Sequence, residues 1–202
     1  MTWSSSLVPT TFRSSTERAC RSFVQALQEC EPMPVASSLL PTADPVQLRR
    51  AFGCFPSGVA ALCVDLDGTL SGMAVSSFTS VSLDPPLVSV CMAHTSTTWP
   101  ELRRAPFIGV SILGADHTAA CRQLSSRTGD RFAGLETERM ADGAVFVSGA
   151  SAWLECTVAD EIRAGDHDIV VLRVRALAAT PEDHPLVFHS SKFFRLAGTN
   201  EL

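Results

Sequence analysis

Apolar and polar residues partly alternate along residues 70–92, LSGMAVSSFTSVSLDPPLVSVCM. Phe78, Val81 and Leu83 are separated by small hydroxyl residues, a pattern typical of a strand with one face in a core. The DPP sequence ends this run, because proline donates no ladder hydrogen bond and fixes its own φ. LVSVCM then resumes as a mostly apolar, buried strand. We therefore predict two strands joined by a Pro-Pro corner. The row of hydroxyls is either a solvated strand face or a surface for a flat ring with polar edges.

Capping and turn residues divide the chain on either side of this stretch. Asp44 and Pro45 are a helix N-cap and a first-turn proline, which predicts a helix over PVQLRRAFGCF. VAALCVDL and TLSGMAV are predicted strands joined by a hairpin turn at Asp67-Gly68. Further on, Thr98 is the expected N-cap of a short helix over WPELRRA, and FIGVSIL is a strand.

The second half of the chain is predicted to be mostly strand. A helix is expected over residues 116–127, with Asp116 in a capping role. The AVFV segment and the long runs around IVVLRVRAL read as paired strands, with a turn at Gly165-Asp166 between two of them. PLVFHSSKFFRL closes the chain as a terminal strand.

The first 45 residues have a different composition. They are rich in Ser and Thr up to residue 16, and TERACRSFVQALQEC then has an apolar face at helical spacing, which predicts a short helix over residues 16–30. A proline-rich linker follows. We expect residues 1–45 to be an extension and residues 46–202 to form one folded domain. The extension is either loosely packed or docked over a dimer interface or the site.

Composition narrows the class of protein. A chain of 202 residues with 46% hydrophobic content is large enough for one domain with a real core. The net charge of −5 disfavours nucleic acid and acidic membranes as partners. No apolar run reaches the ~20 residues that span a bilayer. The start of the chain does not resemble a signal peptide, so we expect a cytoplasmic protein.

The cysteines and histidines predict neither a metal site nor a disulfide framework. The seven cysteines are scattered, odd in number and never spaced C-x-x-C, as expected for reduced thiols in a cytosolic protein. The five histidines show no metal-binding spacing. Motifs for a Rossmann dinucleotide fold, a nucleophile elbow, a zinc protease and a P-loop are also absent.

Four hydroxyl residues at positions 95–98 come directly before the predicted helix that begins near Trp99. Hydroxyls and free backbone N–H groups at a helix N-terminus suit a phosphate. Ordinary helix capping is the alternative interpretation.

GMAVSSFTSVSLDPPLVSVCM resembles the signature of the flavin reductase family, the small reductase components of two-component flavin monooxygenases. The resemblance begins near Leu48 with RRAFGCFPSGVAAL and ends with PLVFHSSKFFRL. The chain also carries the family motif G-D-H at Gly165-Asp166-His167. It departs from the family pattern at three positions. Ala74 and Val75 stand where threonine and alanine are common, and Leu172 stands about five residues after G-D-H, where a glycine is common.

The resemblance implies a mainly β fold with flanking helices, namely a six-stranded antiparallel Greek-key split barrel that binds flavin and forms a homodimer. It also implies a site. His167 of G-D-H would face the nicotinamide, Ser96 and Thr98 match the S-x-T pattern that holds the flavin phosphate, and Phe193 would border the pocket. Cationic help at the phosphate would come from Arg103, Arg104 or Arg131. The full set of expected cofactor-binding residues is Met73, Ala74, Val75, Ser76, Ser77, Phe78, Cys91, Ser96, Thr97, Thr98, Arg131, Phe132 and Phe193.

The function implied is an NAD(P)H-dependent flavin reductase. It would reduce FMN or FAD by hydride transfer from NADH or NADPH and supply the reduced flavin to a partner monooxygenase. The absence of an acid–base constellation suits this chemistry, because the cofactors carry the reaction. Two alternatives remain open at this point: a non-catalytic flavin-binding or sensor module on the same fold, and an interaction domain without a cofactor.

Overall fold

The computed structural model describes residues 44–180 and 184–196. The predicted helix over residues 16–30 lies outside the described residues. The α-helices are α1 (Pro45–Phe52), α2 (Trp99–Leu102) and α3 (Thr118–Leu124), and a 3₁₀ turn covers Ala115–His117. The strands are β1 (Ser57–Gly58), β2 (Ala60–Leu66), β3 (Thr69–Val75), β4 (Thr79–Leu83), β5 (Pro86–Ala93), β6 (Ile108–Ile112), β7 (Thr137–Arg139), β8 (Val145–Val147), β9 (Ala152–Ala164), β10 (His167–Ala179), β11 (Leu186–His189) and β12 (Lys192–Arg195).

The largest sheet has seven antiparallel strands in the order β3-β2-β6-β9-β10-β5-β4. Its two edge strands, β3 and β4, follow each other in the chain and are joined by residues 76–78. Smaller sheets, β1-β11-β12 and β7-β8, flank it. The predicted mainly β split-barrel fold with flanking helices is confirmed, with seven strands in the main sheet where six were expected.

Local turn chemistry accounts for the hairpins. Asp67 and Gly68 have φ values of 54° and 86°, and the Gly68 N–H donates to Asp65 Oδ1 at 2.6 Å, so the β2–β3 turn is where the sequence predicted it. Ser190 and Ser191 also have positive φ and make a second tight turn. The predicted terminal strand is therefore two strands, β11 and β12.

The stretch at residues 70–92 contains three strands and not the predicted two, because the chain breaks at residues 76–78 before β4. The alternating side chains of β4 also do not enter a core as predicted. Val81 and Leu83 are exposed, Leu83 by 95%, whereas the preceding Phe78 packs against the core. Alternation marks an apolar face, but β4 is an edge strand and its face extends past the core of this chain.

The predicted helix over residues 116–127 is shorter than expected. It begins as the 3₁₀ turn and continues as α3 only to Leu124. Asp116 is exposed and is not the cap. The Gly114 N–H is instead bonded to the His117 Nδ1 atom at 3.2 Å, which takes the place of the expected aspartate cap.

Two buried clusters stabilise the fold, and β2 contributes to both through its alternate faces. The interior of the main sheet is filled by side chains such as Leu62, Met92 and Leu172. The other face of β2 packs under α3, where Cys63 and Leu124 are fully buried. Each fully buried Leu or Met side chain contributes about 1.5–3 kcal/mol by leaving water.

The described cysteines are all free thiols: Cys54, Cys63, Cys91, Cys121 and Cys156. Burial raises the pKa of the Cys63 and Cys156 thiols to about 12. These thiols stay protonated at neutral pH and are therefore poor nucleophiles. Across the residues that the structure describes, no helix has the length and apolar character needed to cross a membrane.

Candidate active site

Among the described residues, strand β3 has a strand partner, β2, along only one of its edges. The Asp65 N–H of β2 donates to Gly143 O at 2.8 Å, so the odd-numbered residues of β2 direct their backbone groups away from β3. Gly72 and Ala74 pair with odd-numbered residues of β2. Their N–H and C=O groups therefore point outward, because these groups alternate between the two edges of an antiparallel strand. The result is a row of backbone donors and acceptors along the open edge.

Arg131 closes one end of this edge. Its Nη1 donates to Gly72 O at 2.9 Å and to Thr98 Oγ1 at 2.7 Å, and its Nε donates to Ser126 O at 2.7 Å. Of the three arginines expected near the hydroxyl loop, Arg131 is the one bonded to it. Arg103 pairs instead with Glu161 at 3.1 Å. A fixed positive charge therefore lies between β3 and the loop before α2.

The hydroxyl loop is arranged differently from the prediction. Thr98 occupies the N-cap position of α2 but makes no capping hydrogen bond, and its hydroxyl accepts from Arg131. Ser96 Oγ accepts the Trp99 N–H at 3.1 Å and supplies the cap. Thr98 is buried and Thr97 is exposed. The hydroxyl proton of Thr98 remains available for donation. The predicted role of Ser96, Thr97 and Thr98 at a phosphate stays a prediction.

Residues 76–78 cross the split between the edge strands. The Cys91 N–H of β5 donates to Ser77 Oγ at 2.9 Å, which ties the crossing to the sheet. Ser76, Ser77 and Phe78 line a cavity of about 860 Å³, together with Arg49 and residues of the β11–β12 hairpin. That volume lies within the range of cofactor pockets. The Ser77 hydroxyl is thus partly used by the fold, whereas Ser76 is exposed.

The side chains of β3 separate into two sets. Met73 and Val75 belong to the interior cluster, while Ala74 faces the other side and packs near Phe132 and Phe193. A small cavity of about 100 Å³ lies there, lined by Ala74, Val75 and Phe193 among others. The structure therefore places Ala74, Phe132 and Phe193 against the same buried cluster and the Met73 side chain on the opposite face.

Close packing explains the glycine that precedes this set. A Cβ on Gly72 would stand 2.7 Å from Cys63 Sγ and 2.8 Å from Phe132 Cζ. Phe132 thus lies directly against β3, and its N–H donates to Asp130 Oδ1 at 2.8 Å within the same loop. The loop over residues 130–132 therefore packs on the open edge of β3.

His167 begins β10 immediately after the turn at Gly165, whose φ is 67°. Its Nδ1 lies 2.7 Å from Asp166 Oδ1, and its side chain is 43% exposed. This hydrogen bond is the main cause of a lowered pKa of the Asp166 carboxyl. His167 pairs across the sheet with Ala93, which leads directly into the hydroxyl loop. Cys91 lies two residues earlier on the same strand and is exposed.

Sequence reasoning missed His94 and Asp168. The His94 Nε2 atom lies 2.9 Å from Asp168 Oδ1, and the His94 N–H donates to Asp166 O at 3.0 Å. Their positions in the sequence could have identified them, since His94 directly precedes the hydroxyl loop and Asp168 directly follows G-D-H.

The structure also explains the departure from the family pattern at Leu172, because its side chain is fully buried in the interior cluster.

The arrangement fits a flavin. A flavin ring presents alternating acceptors and a donor along its pyrimidine edge and carries an anionic phosphate on its side chain. The open edge of β3 offers a backbone N–H and C=O at Ala74, and Arg131 with Thr98 offers a charge and a hydroxyl. The described residues hold no cluster of three or more potential metal ligands.

The comparisons with known proteins agree with this geometry. Residues 52–197 match the family described as Flavin reductase like domain. A flavin reductase of Pseudomonas putida is 40% identical over 77% of this chain and 92% of its own. The flavin-dependent monooxygenase reductase subunit HsaB of Rhodococcus jostii is 31% identical over 74% and 77%. The solved NADH:FAD oxidoreductase SgcE6 of Streptomyces globisporus, in complex with NAD and FAD fragments, is 34% identical with a TM-score of 0.76, over 82% of this chain and 100% of that one. The chain belongs to the flavin reductase family.

Proposed function

We propose that this protein reduces FMN or FAD with NADH or NADPH and passes the reduced flavin to a monooxygenase. The observation that carries this proposal is the open edge of β3, closed at one end by Arg131 and Thr98 and followed at the other by the cavity at residues 76–78. When bound together, the nicotinamide and the flavin supply the hydride chemistry.

The protein contributes binding and orientation. Backbone groups at Ala74 and the exposed Ser76 would hold the polar edge of the ring, and Phe193 would border it. Thr98, with Arg131 behind it, would hold the phosphate. Preorganised donors of this kind stabilise developing negative charge without reorganisation, because the fold has already fixed them. Their positions do not depend on a titrating side chain.

His167 would act on the nicotinamide side. Its Nδ1 is engaged by Asp166, its side chain is 43% exposed, and its Nε2 has no hydrogen-bond partner in the part of the chain that the structure describes. An imidazole held in this way can stack on the nicotinamide or donate a hydrogen bond to its amide. It need not donate a proton to the ring, because the transferred species is a hydride.

The proposal includes a homodimer in the cytoplasm. Phe52, Phe55 and Leu83 are 71%, 77% and 95% exposed in the single chain. Large apolar side chains exposed to this extent mark interaction surfaces, and a second copy would cover them. The free thiols among the described cysteines suit a reducing compartment.

The test is a flavin titration of the purified protein followed by NADH or NADPH in air. Steady nicotinamide oxidation that requires flavin is expected. Bound flavin without turnover would favour a non-catalytic flavin module, and absence of flavin binding would overturn the proposal.

A double variant tests the phosphate assignment. Hydrogen bonds to charged groups contribute about 1.5–3 kcal/mol each, so Ser96→Ala with Thr98→Ala should raise the flavin KM at least about tenfold. Thr95→Ala is the matched control, because Thr95 is an exposed hydroxyl in the same loop. An unchanged flavin KM in the double variant would contradict the assignment of Ser96 and Thr98 to the flavin phosphate.

A further inference from the structure

His94 contacts the residues on both sides of His167. Its backbone N–H donates to Asp166 O at 3.0 Å, and its ring Nε2 lies 2.9 Å from Asp168 Oδ1. Asp166 in turn engages the His167 ring through its carboxylate at 2.7 Å. The start of β10 is therefore held from β5 by two contacts that flank the predicted nicotinamide-facing residue.

The same residue adjoins the flavin side of the site. His94 follows Ala93, whose carbonyl accepts the Ser96 N–H at 2.9 Å. Ser96 caps α2, and Thr98 is bonded to Arg131. Hydrogen bonds made by residues close together in the chain thus connect the hydroxyl loop, His94 and the turn that carries His167.

The His94–Asp168 contact is better placed for a specific role than an ordinary surface pair. Its side chains are 32% and 29% exposed and those of Arg103 and Glu161 are 52% and 21% exposed, so the two pairs differ mainly in their position along the chain. Both pairs join the segment after β5 to the β9–β10 hairpin. Only the His94 pair is adjacent in sequence to His167, because Asp168 is the next residue.

We propose that His94 is a positioning residue. Its ring, through Asp168, fixes the backbone at the start of β10 that carries His167 and so sets the alignment of nicotinamide against flavin. The inference rests on the proposed function, because it requires His167 to act on the nicotinamide. Hydride transfer is sensitive to the alignment of donor and acceptor, since a displacement of an ångström at a reacting centre is enough to slow an enzyme.

A double-mutant cycle tests this role. His94→Ala should lower kcat/KM for NADH or NADPH by about three- to tenfold, as for the loss of one hydrogen-bonded contact. It should cause no further loss in the His167→Ala background, because His94 acts through His167. His94→Gln, whose side-chain amide can still donate to Asp168, should recover most of the wild-type value. Arg103→Gln is the matched control and should leave the nicotinamide kinetics unchanged.

A second readout needs neither flavin nor turnover. In the flavin-free protein, the ring proton signals of His167 should shift in His94→Ala and return toward their wild-type positions in His94→Gln. Arg103→Gln should leave them in place. Unshifted His167 signals in His94→Ala would overturn the inference.

The outcomes of the cycle separate the two proposals. If His167→Ala itself leaves nicotinamide kinetics unchanged, the role of His167 is wrong and that of His94 falls with it. If His167→Ala lowers kcat/KM but His94→Ala lowers it by the same factor in both backgrounds, only the His94 inference is overturned. An equal loss of kcat/KM in Arg103→Gln would also overturn the His94 inference, because a general loss of hairpin stability would then explain the effect of His94→Ala.

Discussion

Two Asp-His pairs follow glycines in this chain, and the fold uses them in opposite ways. In the segment GADH, His117 Nδ1 accepts the Gly114 N–H at 3.2 Å, and Nε2 must then carry the proton that it donates to Ser148 O at 3.0 Å. In the segment GDH, His167 Nδ1 bonds to Asp166. No partner for His167 Nε2 occurs among residues 44–180 and 184–196.

The difference separates a structural histidine from a candidate functional one. Both ring nitrogens of His117 satisfy backbone groups that would otherwise lose a partner, so this ring is part of the fold. His167 has one nitrogen fixed by a neighbouring carboxylate and the rest of its ring exposed. A ring oriented by one side and open on the other can meet a ligand without disturbing the core.

The largest effect on stability is expected at His117. His117→Ala leaves the buried Gly114 N–H without its acceptor, which costs about 1–3 kcal/mol of unfolding free energy. His167→Ala should change it by less than about 0.5 kcal/mol, as for an exposed side chain. Urea denaturation of the two variants measures both values, and equal losses would break the distinction between the two histidines.

A smaller loss is expected at the turn that presents His167. Gly165 has a φ of 67° and open space around a Cβ, so Gly165→Ala should cost about 1–2 kcal/mol through backbone conformation alone. Gly165→Asn should cost less, because asparagine tolerates this region. Gly58→Ala is the matched control, since Gly58 is equally open but lacks a positive φ. A loss at Gly58 as large as at Gly165 would contradict the explanation.

The smallest effect concerns the Asp166 carboxyl, which is fully exposed. Its pKa is lowered chiefly by the hydrogen bond from His167. A lowered pKa in the folded state favours folding above the ordinary pKa of the carboxyl, and this contribution is lost as pH falls through the folded-state value. NMR titration should find the Asp166 pKa closer to its ordinary value in His167→Ala. An unchanged pKa would mean that the two side chains do not interact in solution.

Much of the fold could be predicted because its signals are local. Asp67-Gly68 and Gly165-Asp166 specify hairpins through turn chemistry, and Asp44 with Pro45 specifies the start of α1. The exposure of Leu83 could not be predicted in this way. Alternation identifies an apolar face, but which element covers that face depends on the position of the strand in the sheet.

The residues of the candidate site likewise differ in whether the local sequence predicts them. The hydroxyl loop and G-D-H were visible because their residues are adjacent in sequence. The contacts of Arg131 were not, since it is 33 positions from Thr98 and 59 from Gly72. The Thr98 hydroxyl was expected to cap α2, and it binds Arg131 because tertiary structure supplies a charged donor that the local sequence does not contain.

The most direct test of this account is the kinetics of His167→Ala beside those of His117→Ala, measured at a temperature where both are folded. His167→Ala should raise the NADH or NADPH KM and lower turnover, and it should leave the flavin Kd within about a factor of two or three. His167→Asn, which keeps a donor, should retain more activity, and His117→Ala should match the wild type. Unchanged nicotinamide kinetics in His167→Ala, or flavin binding weakened as much as nicotinamide binding, would contradict the assignment of His167 to the nicotinamide side of the site.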